Sequence, residues 1–268
     1  MYQSGGGNVN MNGQTKKLWW VGANINWGYS INDFYEARVT GRVFQNKGRI
    51  GGGMWWNSNQ AKKLSWGAEV FGGTGGVFNR KSFTPTLFGK IRFSSKFSID
   101  NSLSMEFHKN SQGFAAVKYS GTGTINDTVI FSRRDLRTVE NILSMKYSFT
   151  NRMGITLRAR HYWSKVNYKQ FYTLQNNGSL LPNFTYGQNE NKNVNFFNID
   201  FVYTWQFAPG SFLNLVWKNS IMEFRDEVEK NYFHNIGNTL KEDQNNNLSL
   251  KIIYYLDYLD LKKWKKKK

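Results

Sequence analysis

The sequence predicts an all-β protein and, within that class, an antiparallel transmembrane outer-membrane β-barrel. Three observations carry the prediction. Strand-length runs alternate apolar and polar residues with a period of two, which puts an apolar set on one face and a polar set on the other. Connections alternate between short and long, as periplasmic turns and extracellular loops do. Aromatic residues make up 17% of the chain, with 21 Phe, 14 Tyr and 10 Trp, and many fall near the ends of the runs, where two membrane interfaces would take them. A soluble β-sandwich needs the same alternation, but it would gather its aromatics mid-core and need not segregate loop length.

Taken in order, residues 1–17 are rich in Gly and Asn and read as a flexible segment or the remnant of a strand. The barrel is expected over 18–260 and a polybasic tail over 261–268. A first strand, 18–27, leads into a short turn at 28–33. A second is expected over 35–43, with Tyr35, Ala37 and Val39 opposite Glu36, Arg38 and Arg42. Runs 49–56 and 64–70 follow, then a glycine-rich loop, 72–85. Run 87–93 sets Leu87 and Ile91 against Lys90 and Arg92, and a short turn at 94–96 leads to 97–108, where Glu106 and His108 face inward. Weaker runs lie at 114–120 and 128–133. The pattern returns over 139–149, turns at Thr150-Asn151-Arg152, and continues over 153–160 with Arg158 and Arg160 inward. Residues 164–192 are long, polar and loop-like, although 166–174 extends a strand beyond the membrane. A hairpin over 193–219 turns at Ala208-Pro209-Gly210-Ser211; Pro presets its own φ and Gly tolerates a positive one. A charged loop, 222–246, precedes a last strand over 248–256.

This makes about 13–14 strands of the ~9–11 residues that a tilted membrane strand needs. Since single-chain bacterial barrels close with even numbers and an open edge in lipid is costly, further strands are expected at the N-terminal end. The alternation assigns Phe197, Ile199, Phe201, Tyr203, Trp205, Leu213, Leu215, Trp217, Leu250, Ile252 and Tyr254 to lipid. It assigns Arg38, Arg42, Lys90, Arg92, Glu106, Arg158, Arg160, Asp200, Lys218 and Lys251 to a lumen.

Composition narrows the partners. The net charge of +18 suits anionic outer-membrane lipid and lipopolysaccharide, or small anionic solutes. No recognition motif accompanies it, so nucleic acid is not expected. The absence of Cys excludes thiolate metal sites and Cys nucleophiles. No apolar run approaches the ~18–20 residues of a membrane helix; the mean hydropathy of −0.59 argues against helical spans and says little against a barrel. The N-terminus lacks the basic start and apolar core of a signal peptide, from which the chain is expected to be the later part of a longer, exported protein.

At 198–219, NIDFVYTWQFAPGSFLNLVWKN, and 246–260, NNLSLKIIYYLDYLD, the chain resembles a bacterial family, the domain of unknown function 5916. The resemblance covers about a seventh of the sequence. It implies an outer-membrane barrel, found mainly in Bacteroidota, that in longer members follows a family-9-like carbohydrate-binding domain. That domain is absent from this sequence, so glycan contact is implied for the family and for no residue here.

No catalytic, cofactor or metal residues are predicted. His108, His161 and His234 are dispersed, and none has metal-site spacing. Ser104, Glu106 and His108 form the one inward set that a barrel hydrolase could use, although alternate strand residues line up in this way trivially. The glycine run at 72–76 lacks the Lys-Ser/Thr of a phosphate loop. The acidic stretch from Glu223 to Asp243 reads as a solvated loop. The inward charges read either as a paired network stiffening the wall or as a basic lining for anions. The expected function is a non-enzymatic passive channel or membrane anchor in carbohydrate or nutrient handling. A barrel hydrolase and a soluble β-sandwich binding module are the alternatives.

Overall fold

A computed structural model of the protein describes residues 3–118 and 127–259. Strands β1 (Gly6–Gln14), β2 (Trp20–Gly28), β5 (Arg49–Asn57), β6 (Leu64–Gly75), β7 (Arg80–Arg92), β8 (Phe97–Lys118), β9 (Thr128–Thr150), β10 (Met153–Leu174), β12 (Lys192–Ala208), β13 (Ser211–Arg225) and β14 (Gln244–Ile253) follow one another across a single sheet. Every neighbouring pair is antiparallel. Strand β11 (Leu180–Asn183) adds to β10, and β3 (Ile31–Asp33) pairs with β4 (Phe44–Asn46) apart from the main sheet. Among the described residues β1 pairs only with β2 and β14 only with β13, so the sheet is not closed.

The connections at the two ends differ. One end carries the turns 15–19, 58–63, 93–96, 151–152 and 209–210. Two of them have only two residues, and the one at Pro209–Gly210 has Gly210 at φ +69°. The other end carries 29–48, 175–191 and 226–243, together with the short turn 76–79. Strands β8, β9 and β10, each 22 or 23 residues long, reach well past their neighbours at this end. Bulges near Ser111, Ala116 and Gln170 interrupt their register.

Several expectations are corrected. No strand forms over 35–43. That segment turns at Arg38 (φ +54°) and Gly41 (φ +82°) and packs against the upper ends of β8–β10, where Ala37, Val39 and Phe44 are buried with Phe131, Tyr172 and Leu174. Its period of two reflects alternate burial in a folded loop. The expected short turn 28–33 is consequently the end of β2 and the start of the long connection 29–48, and Trp19, 5.4 Å from Trp66, lies at the short-turn end.

The expected loop 72–85 is instead paired strand on both sides of the short turn 76–79, with Gly72 opposite Phe83 and Gly73 opposite Ser82. Its glycines allow close backbone approach: a Cβ on Gly73 would stand 2.9 Å from the Ile50 carbonyl oxygen.

The stretch 222–246 is not simply a solvated loop. It holds a short helix, α1 (Tyr232–Thr239), and Glu223 is buried. Finally, β14 ends at Ile253, so Tyr254 lies beyond the last strand and stacks on Phe207.

Candidate functional site

The chemistry of this sheet is divided between its two faces. One row of residues that face each other across the strands reads Leu64, Ile91, Ile99, Met145, Leu157, Phe201, Trp217, Leu248, from β6 to β14. A second reads Met11, Ala23, Met54, Val70, Pro85, from β1 to β7. These rows form an apolar belt across the whole sheet, and side chains along it stand out from the protein: Met11 is 75% exposed, Leu64 60% and Leu248 71%. The expected lipid-facing residues Phe197, Ile199, Phe201, Tyr203, Trp205, Leu213, Leu215 and Trp217 share this side by register, as do Leu250 and Ile252. At the short-turn end the rings Phe93, Phe97, Tyr147 and Phe149 form a contiguous cluster.

Shifting the belt's first row by one residue lands on the opposite face. There the facing residues are Lys90, Asp100, Ser144, Arg158, Asp200, Lys218 and Asn247. Charge alternates along this row, and Lys218 Nζ lies 3.9 Å from Asp200 Oδ1. Arg160 pairs with Glu140 on the adjacent strand. Opposite charges facing across strands contribute roughly 0.2–1 kcal/mol each, so these pairs support the register of the strands that carry them. Arg158, Arg160, Asp200 and Lys218, named from the sequence, together border a cavity of about 400 Å3 with Asn198 and Asn247. Lys251 faces Asn214 on the same side. Lys90 and Arg92 stand on β7, Arg92 donating to the Gln60 carbonyl.

Arg38 and Arg42 do not belong to this face. Arg42 is buried in the 29–48 loop, donating to the carbonyls of Asp127 (3.3 Å) and Leu174. Arg38 lies over the Phe114 ring, 4.5 Å from its centroid. Both alternate in a segment that is not a strand, which is why period alone placed them in a wall.

The set Ser104, Glu106, His108 is not a hydrolytic triad. His108 Nε2 is 3.6 Å from Glu106, but Ser104 Oγ shares a hydrogen bond with Thr86 Oγ1 at 2.9 Å. Four residues along a strand place Ser104 and His108 about 13 Å apart at ~3.3 Å per residue, beyond the reach of proton transfer. Among the described residues no group of three or more His, Cys, Asp or Glu is placed to hold a metal.

Two arrangements escaped the sequence reading. Under α1 the apolar side ends in a buried polar network. Asn195 donates to Glu223 and to Asn235, both at 3.1 Å, Thr239 donates to Glu223 at 2.6 Å, and Trp163 donates to Asn193 at 2.6 Å. His161 Nδ1 meets the Tyr232 hydroxyl at 3.0 Å. The network anchors the 226–243 connection to β10, β12 and β13. The second is a cavity of about 500 Å3 at the long-connection end, bordered by Lys47, Arg49 and Arg80. No motif spacing links these residues; only the register does.

Comparison with known proteins bears out the fold. The solved copper transporter OprC is similar over 94% of this chain at a TM-score of 0.51 and 9% identity; the chain spans 41% of OprC. LpxR from Salmonella typhimurium aligns over 95% of this chain and 90% of its own at 9% identity, but with a TM-score of 0.31 that alignment carries no argument. No curated protein matches significantly. The sequence profile of one family matches residues 1–265, almost the whole chain. The chain therefore belongs to the family described as Domain of unknown function (DUF5916).

Proposed function

We propose that this sheet is a wall of an outer-membrane β-barrel and that the protein acts without catalysis, as a passive conduit or membrane anchor. The observation that supports this most is the unbroken apolar row from Leu64 to Leu248 backed by the charged row from Lys90 to Lys218. A water-facing sheet would not hold so many large apolar side chains outward, since soluble monomers rarely expose contiguous apolar patches above a few hundred Å2. In a bilayer the same row meets lipid, and the charged row meets a lumen.

The belt is the part that contacts outer-membrane lipid and lipopolysaccharide. On the opposite face Arg158, Arg160 and Lys218 outnumber Asp200 around the 400 Å3 cavity, which favours small anionic solutes over cations. The fold likeness to OprC, at 9% identity, supports the barrel and transfers no substrate.

Planar-bilayer conductance of the full-length protein tests the conduit. Anion preference is expected, falling in Arg158→Glu/Lys218→Glu. Cation preference in the unaltered protein, or no conductance, would contradict it.

A further inference from the structure

The cavity near Lys47, Arg49 and Arg80 is set by one row of the sheet. Gly6 faces Gly28, Gly28 faces Arg49, Arg49 faces Gly75, and Gly75 faces Arg80. Two arginines thus stand on either side of a glycine, with further glycines beside them. Gly75, at φ +146° and with Arg49 Cα 2.5 Å from where its Cβ would be, admits no side chain. No side chain from the residue facing both arginines can therefore come between them. Both arginines alternate with Ile50 and Lys81 and so share the polar side with Gly51 and Ser82. They lie just above the last apolar row, Trp27 opposite Ile50.

Among the described residues neither arginine makes an ion pair. The carboxylate bordering the cavity, Asp33, is engaged by the backbone N–H groups of Tyr35 and Glu36, both at 2.9 Å. Like charges held together without a counter-ion are unfavourable until an anion arrives. Guanidinium forks match the paired oxygens of such an anion.

We propose that this cavity binds a phosphate or sulfate group between Arg49 and Arg80, with Lys47 at its edge. The group could be carried by a small solute or by a lipid headgroup at the outer leaflet. The polar side on which the arginines stand favours the solute. The proposal does not require an open lumen.

Two arms test it on the full-length protein in detergent. In the first, inorganic pyrophosphate is titrated calorimetrically. In the second, protein is transferred from vesicles containing lipopolysaccharide, and retained lipopolysaccharide is counted by native mass spectrometry. Pyrophosphate binding is expected to weaken at least about tenfold in Arg49→Gln/Arg80→Gln, as loss of charge-assisted hydrogen bonds implies. It should be unchanged in Lys81→Gln, one residue away on the other face. Retention of lipopolysaccharide that the double variant loses, without pyrophosphate binding, would place the group on a lipid. No binding in either arm, or binding that the double variant leaves intact, overturns the proposal. Arg49→Gln alone, at an exposed position, gives the same decision if the double variant does not fold.

Discussion

At the scale of single residues, the connection 226–243 is held by a few polar groups. Asn231 caps α1 by accepting from the backbone N–H groups of Phe233 (2.9 Å) and His234 (3.1 Å). Hydrogen bonds from the Asn231 N–H, His234 and the Lys230 N–H hold the Glu229 carboxyl down to about 2 from its ordinary 4.5. A depressed carboxyl stabilises the folded form above the ordinary value, and that contribution is lost as pH falls through the folded one. The hold of the Glu229 carboxyl on the start of α1 should therefore persist at pH 5 and disappear between about 4.5 and about 2. Protease cleavage within 226–243 against pH should show that transition, and Glu229→Gln should abolish it. Deeper in the network, Asn195→Ala leaves buried partners on Glu223 and Asn235 unmatched, at about 1–3 kcal/mol. Hydrogen exchange in α1 should accelerate about tenfold, while the strands stay protected.

Glycines on the polar side carry a related constraint. Gly22 faces Trp55, Gly53 faces Phe71 and Gly67 faces Phe88, and in each pair the ring occupies the space a Cβ would take. An aromatic ring lying over a cross-strand glycine shields its backbone and pins the register. At Gly53 a Cβ would meet the Phe71 ring at 2.1 Å, so Gly53→Val should cost about 1–3 kcal/mol from overpacking. Urea unfolding in lipid vesicles measures it.

At the scale of elements, what was legible followed from the source of the signal. Strands β12 and β13 could be read face by face because every residue from Asn193 to Arg225 sits in one register, broken only beside the Pro209–Gly210 turn. The long strands β8–β10 read as fragments because bulges shift their alternation near Ser111, Ala116 and Gln170. Helix α1 was invisible because its buried positions, Asn235 and Thr239, are polar, so an apolar stripe never forms. Segment 35–43 misled in the opposite sense, showing a strand's period without a strand's partner. Its anchoring is testable. Phe44 lies 4.7 Å from Phe131, and Phe44→Ala should remove about 3–5 kcal/mol of local packing. Hydrogen exchange should then rise across 29–48 and stay unchanged in β12 and β13.

At the scale of the whole molecule, the two faces rather than any single site define the protein. The belt and the charged row are offset by one residue on β7–β10 and β12–β14, so a one-residue slip would carry charge onto the apolar side. The tail at 261–268, with its run of lysines, lies outside the described residues. The lack of cysteine allows each position to be labelled singly. Cysteines placed in turn at Leu157, Arg158, Phe201, Asp200, Trp217 and Lys218 of the full-length protein, each carrying a fluorophore, can be refolded into vesicles with brominated lipid. Strong quenching is predicted at 157, 201 and 217 and weak quenching at 158, 200 and 218; equal quenching at both sets, or the reverse order, would contradict a barrel wall with lipid on the apolar side.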